Sequence, residues 1–245
     1  MIATLEDNYA YLVSWADEAL VVDPGEAAPV LAELKKRKLT LKCVLLTHHH
    51  QDHIGGVAEV KTKTQSLLIG PDDAHLTDLD RKVGEGEEVL LGPLAIEVFA
   101  TPGHTASHLV YYFRDQNLLF SGDTLFAGGC GRLFEGTPKQ MWESLQRLRS
   151  LPNETQLYPG HEYTQSNLAF ALSIEPHSQG IKDRLAYVEK QREAGKPTVP
   201  STLGEEKKTN PFLRADDKKL QHALGMEGED PVAVFAALRQ VKDVF

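Results

Sequence analysis

THHHQDH, residues Thr47 to His53, places four histidines and one aspartate within seven positions, and Ile54, Gly55 and Gly56 follow at once. No helix turns residues i and i+2 to one face, but a strand end or an extended loop does. His48 and His50 therefore share a side of an extended segment that continues the apolar run LKCVLL, while His49 points the other way, to packing or to the support of its neighbours. Neutral imidazole suits zinc, iron and similar metals, a carboxylate beside it suits a borderline-hard divalent ion, and three protein ligands plus water mark a catalytic site. Four histidines at the end of a buried strand are costly to desolvate without such a partner, which disfavours a purely structural role.

Further donors stand at the ends of other apolar runs: His104 in TPGHT, Asp123 in SGDT and His161 in YPGHE. Taken singly, His104 and His161 read as hydrogen-bonded loop histidines. Taken with His48, His50, Asp52 and His53 they make seven donors, enough for two metals with three private ligands each and one shared carboxylate. The remaining histidines, His75, His108, His177 and His222, carry no such pattern, and Cys130, between glycines, lacks an obvious activating base.

The runs bearing these clusters are short, rich in β-branched and aromatic residues, and punctuated by Gly, Pro and Asp, which predicts strands at NYAYLVSW, EALVVDPG, LKCVLLTHHH, SLLIG, LAIEVFATPGH, HLVYYF, NLLFSGD and TQLYPGH. Helical spacing interleaves at AAPVLAELKKRK and PKQMWESLQRLRSL, the second with Pro138 near its start. The first part of the chain is thus α/β, with loops from several strands converging on one sheet edge. From about residue 165 the pattern turns helical, at TQSNLAFALSIE, GIKDRLAYVEKQREAG, DDKKLQHALG and DPVAVFAALRQVKDVF, with KPTVPSTLGEEKKTNPF as a Pro-containing connection. Two domains are expected, a catalytic domain over 1–164 and a helical substrate-binding domain over 165–245.

With 245 residues, 41% of them hydrophobic, the chain can bury one substantial core. A formal net charge of −9 argues against nonspecific binding to nucleic acid or to an anionic membrane. Two cysteines are too few for a disulfide framework, and the first residues show no basic segment leading into an apolar run, so a cytoplasmic setting is expected. No apolar stretch approaches the roughly 20 residues that span a bilayer.

The signature THHHQDH, together with TPGHT, SGDT and PGHE, resembles the ligand motifs of the metallo-β-lactamase superfamily. That resemblance implies an αββα sandwich with a binuclear metal site, here followed by the C-terminal helical domain. It assigns His48, His50 and His104 to the first metal, Asp52, His53 and His161 to the second, and Asp123 to a bridge. Over nearly the whole length the chain is similar to the glyoxalase II, or hydroxyacylglutathione hydrolase, family. The stretches DNYAYLV, GDTLFAGGCGRLFEGT, PGHEYTQSNLAFA, NPFLR and RQVKDVF carry this likeness. The family's reaction, hydrolysis of the thioester S-D-lactoylglutathione to D-lactate and glutathione in methylglyoxal detoxification, is then the expected one. Two divalent metal ions per chain are implied, zinc foremost, with iron or manganese as alternatives.

By the same likeness, Arg132, Phe134, Tyr163, Arg239 and Lys242 fall where the family holds glutathione. Some members have Lys and Tyr where this chain has Arg132 and Phe134, so Phe134 can pack but cannot donate, and Arg132 offers a planar fork in place of a point charge. From spacing alone, Arg239 and Lys242 read as a solvated helix end. The implied chemistry is attack of metal-held hydroxide on the thioester carbonyl, with Asp52 and Asp123 as ligands that also orient it; from its own position at a strand end, Asp23 in VDPG is expected to support ligand histidines. A monomer is expected. The competing readings are a β-lactamase, disfavoured by the missing export signal, an iron-dependent persulfide dioxygenase on the same fold, and a metal-binding module without turnover. No GxSxG elbow supports a serine hydrolase.

Overall fold

A computed structural model describes all 245 residues, which divide into two compact units: Met1–Ala100 with Ser107–Gly122, and Thr101–Ala106 with Asp123–Phe245. In the first unit the predicted strands appear as β2 (Asn8–Trp15), β3 (Glu18–Val22), β4 (Thr40–Leu45), β5 (Leu67–Pro71), β8 (Leu94–Ala100), β9 (Leu109–Phe113) and β10 (Leu118–Gly122). The chain adds β1 (Ile2–Thr4), β6 (Arg81–Val83) and β7 (Glu88–Leu91), whose three or four residues are too short to show a period. One sheet runs β1-β2-β3-β4-β5-β6, antiparallel from β1 to β3 and parallel from β3 to β6. The strands β10-β9-β8-β7 form an antiparallel succession in the other. Helix α1 (Ala27–Arg37) makes the crossover from β3 to β4; α2 (Gln51–Ile54) and α3 (Val57–Thr64) make the one from β4 to β5.

Parallel strands with crossover helices bury both faces, which is why Ala19–Val22 of β3 and Cys43–Leu45 of β4 read as continuous apolar runs. Val30 and Leu34 of α1 and Val57 and Val60 of α3 share a core with Ala10, Val21, Val44 and Leu68. Between the two sheets, the Tyr11 and Phe120 rings lie 5.3 Å apart, and the buried Tyr111 hydroxyl donates to the Leu46 carbonyl at 2.7 Å. That bond satisfies a phenol that would otherwise be costly to bury. Gly122, at φ 47°, closes β10 where a Cβ would lie 2.5 Å from Thr47 Oγ1, so the chain end of β10 and the histidine loop approach only because no side chain stands between them.

The second unit contains β11 (Leu125–Phe126) paired with β12 (Gly129–Cys130), α4 (Pro138–Arg149), β13 (Gln156–Pro159) paired with β14 (Ser201–Thr202), α5 (Thr164–Ile174), α6 (Gln179–Glu193), α7 (Leu203–Thr209), α8 (Lys218–Ala223) and α9 (Pro231–Asp243). Helix α4 starts on a capping box: Thr137 Oγ1 accepts from the Gln140 N–H, and the Thr137 N–H donates to Gln140 Oε1 at 2.9 Å. Its Met141, Leu145 and Leu148 face inward at helical spacing.

The connection expected at KPTVPSTLGEEKKTNPF is more ordered than a linker. It forms β14, α7 and a 3-10 turn at Pro211–Leu213. Sequence LGEEKKT has no apolar stripe to betray α7; what holds it is the fully buried Glu206, whose carboxylate meets the Arg184 guanidinium and accepts from the Ser201 hydroxyl at 2.5 Å and the Gly128 N–H at 2.7 Å. A buried carboxylate is tolerated only with partners of this kind.

Candidate metal centre

The segment Thr47–His50 is extended beyond β4, as the i, i+2 spacing requires, but Asp52 and His53 stand on the single turn of α2, for which His50 is the N-cap residue. The motif is therefore half loop and half helix start. Gly25 and Gly56 let the loop after β3 press on this turn: a Cβ on Gly25 would lie 1.9 Å from the Asp52 carbonyl oxygen.

Hydrogen bonds set the ring tautomers in the first unit. Asp23 Oδ1 accepts from the Thr47 N–H at 2.8 Å, and Oδ2 accepts from the Thr47 hydroxyl at 2.6 Å. With its proton committed to Asp23, Thr47 Oγ1 must accept from His48 Nδ1, 3.0 Å away, which leaves the His48 Nε2 lone pair for a metal. His53 Nδ1 lies 2.9 Å from Asp23 Oδ2 and donates to it, so His53 Nε2 is likewise the ligand nitrogen. That nitrogen lies 3.4 Å from Asp52 Oδ2. The same Asp52 oxygen accepts from the Asn8 side-chain amide at 2.8 Å. His48 also stacks on His108, centroids 4.8 Å apart.

Three donors belong to the second unit. His104 Nε2 and His161 Nε2 lie 3.4 and 3.3 Å from one atom, Asp123 Oδ2. Around an ion with metal–ligand bonds of about 2.0–2.1 Å in tetrahedral array, neighbouring donors stand about 3.3–3.4 Å apart. The His104–Asp123 and His161–Asp123 separations thus each fit one edge of the shell around a zinc-sized divalent ion, as does that of Asp52 and His53. His104 Nδ1 donates to the Arg132 carbonyl at 2.8 Å, which fixes its tautomer as well. Gly131 makes this approach possible, since a Cβ there would meet the Asp123 carbonyl oxygen at 1.9 Å.

The residues expected to hold glutathione also lie in the second unit. The Tyr163 ring stacks on His161, centroids 4.6 Å apart and 6° from parallel, and Phe134, 62% exposed, stands edge-on to His104 at 5.2 Å. Helix α9 carries Arg239 and Lys242 one turn apart. Arg239 is buried: it donates to the Cys130 carbonyl at 2.9 Å and pairs with Asp243 at 3.0 Å. Arg132 reaches the same Asp243 oxygen at 3.3 Å, so one carboxylate joins two of the expected cations. Lys242 Nζ sits 5.3 Å from the Phe170 ring centroid and 5.1 Å from that of Phe245. Burial and the Arg239 charge hold the Lys242 ammonium below the usual lysine range. Burial pushes the Cys130 thiol up to about 11, so it stays protonated near neutrality.

Asn8, Thr47, His108 and Asp243 escaped sequence reasoning, although Asn8 lies in a stretch, DNYAYLV, that drew notice for other reasons. Asp23 was inferred from its place at a strand end. The first unit also holds a cavity of about 690 Å³ lined by Val57, Lys61, Leu68 and Leu76 among others, to which none of the seven donors contributes.

Comparison with known proteins divides the chain at a different place from the two compact units. Residues 3–161 match the model of the metallo-beta-lactamase superfamily, and residues 162–245 match that of the hydroxyacylglutathione hydrolase C-terminus. The hydroxyacylglutathione hydrolase of Rhodospirillum rubrum is 50% identical over 248 residues, 100% of this chain and 97% of that one. Among solved structures, ETHE1 from Myxococcus xanthus is similar with a TM-score of 0.66 at 27% identity, covering 97% of this chain and 94% of its own. TTHA1623 in a di-iron-bound form reaches 0.64 at 28% identity, over 86% of this chain and 99% of its own. The fold is accordingly α/β, a metallo-β-lactamase αββα sandwich with a C-terminal helical region.

Proposed function

From the premise that this chain belongs to the hydroxyacylglutathione hydrolase family, within the metallo-β-lactamase superfamily, we propose that it hydrolyses S-D-lactoylglutathione and related S-2-hydroxyacylglutathiones to the hydroxy acid and glutathione. Membership implies divalent metal, and the donor chemistry of both units suits it. The ligand set we propose is His48, His50 and His104 for one ion, Asp52, His53 and His161 for the other, and Asp123 between them, with zinc foremost and iron or manganese as alternatives. The observation that carries the reading is the meeting of His104 Nε2 and His161 Nε2 on Asp123 Oδ2 at tetrahedral-edge distances.

When bound, such metals lower the pKa of a coordinated water from about 15.7 towards about 7 and polarise a carbonyl, whereas a positioned general base contributes only about 10²- to 10⁴-fold. The chain's own residues prepare for this. Asp23 and Thr47 hold His48 and His53 with Nε2 outward, and Arg132 does the same for His104 through its carbonyl. Asn8 keeps one lone pair of Asp52 engaged, so the carboxylate cannot rotate freely. Asp52 and Asp123 are the acceptors that orient an attacking water. Arg132, Arg239 and Lys242 supply cations for the tripeptide's carboxylates, while Tyr163 and Phe134 flank it with a hydroxyl and an apolar ring.

We place the working boundary between catalytic and substrate-binding domains at 164/165, in support of which the two family models meet at residues 161 and 162. The protein is proposed to act as a cytoplasmic monomer; no helix is long and apolar enough to cross a membrane. The test is thioester absorbance during incubation of purified protein with S-D-lactoylglutathione, with metal counted on the same sample. Rapid turnover at about two metals per chain is expected. A fully metallated sample that leaves the thioester intact, and instead consumes oxygen on glutathione persulfide, overturns the thioesterase.

A further inference from the structure

His49, the one histidine of THHHQDH that the binuclear set does not use, turns away from its neighbours to a different carboxylate. Its Nδ1 lies 3.0 Å from Asp73 Oδ2. His75 Nδ1 lies 2.9 Å from the other oxygen of the same group, Asp73 Oδ1, and the His75 N–H donates to that oxygen at 2.8 Å. The two rings stand 4.4 Å apart and 30° from parallel, so both Nδ1 atoms approach one carboxylate from the same side of the fold. All three ligand atoms lie within 4.8 Å of one another.

We propose that His49, Asp73 and His75 form an additional metal site, separate from the seven donors, that takes a divalent transition metal such as zinc or copper through two imidazole nitrogens and a carboxylate. Donor separations of 2.9 and 3.0 Å are hydrogen-bond distances, and they need open by only about 0.4 Å to reach the edges of a tetrahedral shell. Two imidazoles and one carboxylate favour the zinc, copper and nickel end of the series over magnesium or calcium, which take oxygen shells. The Ser107 hydroxyl donates to Asp73 Oδ2 and holds the carboxylate in place, the outer support that built metal sites share. The site is sheltered on one side and open on the other. The Asp73 and His49 side chains are 9% and 12% exposed, while that of His75 is 70% exposed, which gives an ion an approach from solvent and leaves positions for water. For each Nδ1 to serve as ligand, its ring takes the tautomer with the proton on Nε2, so the ion replaces the hydrogen bonds to Asp73.

The two histidines and the aspartate come from different loops, before α2 and after β5, so an ion here would clip the histidine loop to the segment around residue 75.

The test is a zinc count at saturation on the full chain, by atomic absorption after equilibrium dialysis, for the wild-type protein and for His75→Ala. Wild type is expected to hold one zinc per chain more than the variant, whatever number both hold elsewhere. Equal counts overturn the proposal. A second readout needs no variant: zinc should protect His75 from diethyl pyrocarbonate, mapped by mass spectrometry, with exposed His222 as the internal control. Unprotected His75 at saturating zinc overturns it equally. Because neither readout uses thioester turnover, a failure here leaves the thioesterase standing, and a failure of the thioesterase leaves this count unaffected.

Discussion

Asp23 Oδ2 receives both the Thr47 hydroxyl, at 2.6 Å, and the His53 ring, at 2.9 Å. Asp23 itself sits at φ 48°, a left-handed conformation that aspartate tolerates because its short side chain bonds locally. One residue at the end of β3 thereby sets the tautomers of two proposed ligands, His53 directly and His48 through Thr47.

Asp23→Asn should therefore weaken metal binding without touching a ligand. The amide cannot accept from all three donors, and loss of such an outer partner lowers affinity by about 10–100-fold. Competition with a chromophoric chelator reads this; wild-type affinity in the variant would remove Asp23 from its orienting role.

Asp123→Ala takes away the oxygen on which His104 and His161 converge. Metal content and turnover are expected to fall together, and by more than the 10–100-fold or so of an outer-partner variant. A variant that keeps two metals and full activity would refute the bridge.

Lys242 gives a pH signature. Its pKa is lowered by burial first and by Arg239 second, so in free enzyme the cation is present at neutral pH and is lost, as pH rises, earlier than an ordinary lysine would lose it. KM should climb on the alkaline side with kcat little changed, because the group binds away from the reacting carbonyl. In Lys242→Arg the alkaline climb should vanish, which steady-state kinetics between pH 7 and about 10 would detect.

Arg184→Met leaves the Glu206 carboxylate buried beside Ser201, Gly128 and Asn210 with no cation. Breaking a buried pair from one side costs about 3–5 kcal/mol. The urea midpoint should drop accordingly at unchanged slope. A loss under about 1 kcal/mol would mean that water reaches the carboxylate.

The strands β2 to β5, β8 to β10 and β13 and the helices α1, α4, α5, α6, α8 and α9 were legible from their apolar runs and spacing, whereas α2 and α3 were not, since the polar THHHQDH and the glycines after it mask the helix starts. The short β1, β6 and β7 were not, and α7 was hidden because its stability lies in one buried carboxylate meeting Arg184, 22 positions earlier. Among site residues, the donors announced themselves by chemistry: His and Asp at strand ends beside glycine. Their supporters did not. Asn8 lies 44 positions from Asp52, and Arg239 lies 109 from Cys130, and nothing local marks either pairing.

The order of the chain through its two units has a bearing on biosynthesis. Residues 101–106 leave the ribosome before the β9–β10 hairpin that completes the first unit, yet they belong with 123–245. The nascent chain can finish the first unit once Gly122 has emerged, and must keep the His104 loop waiting until the rest of its unit is translated. No single peptide-bond cut can separate the units. A fragment beginning at residue 165 would lack the early segment and the stretch 123–164 with which its helices fold, so recombinant dissection calls for 101–106 joined to 123 by a linker in place of 107–122.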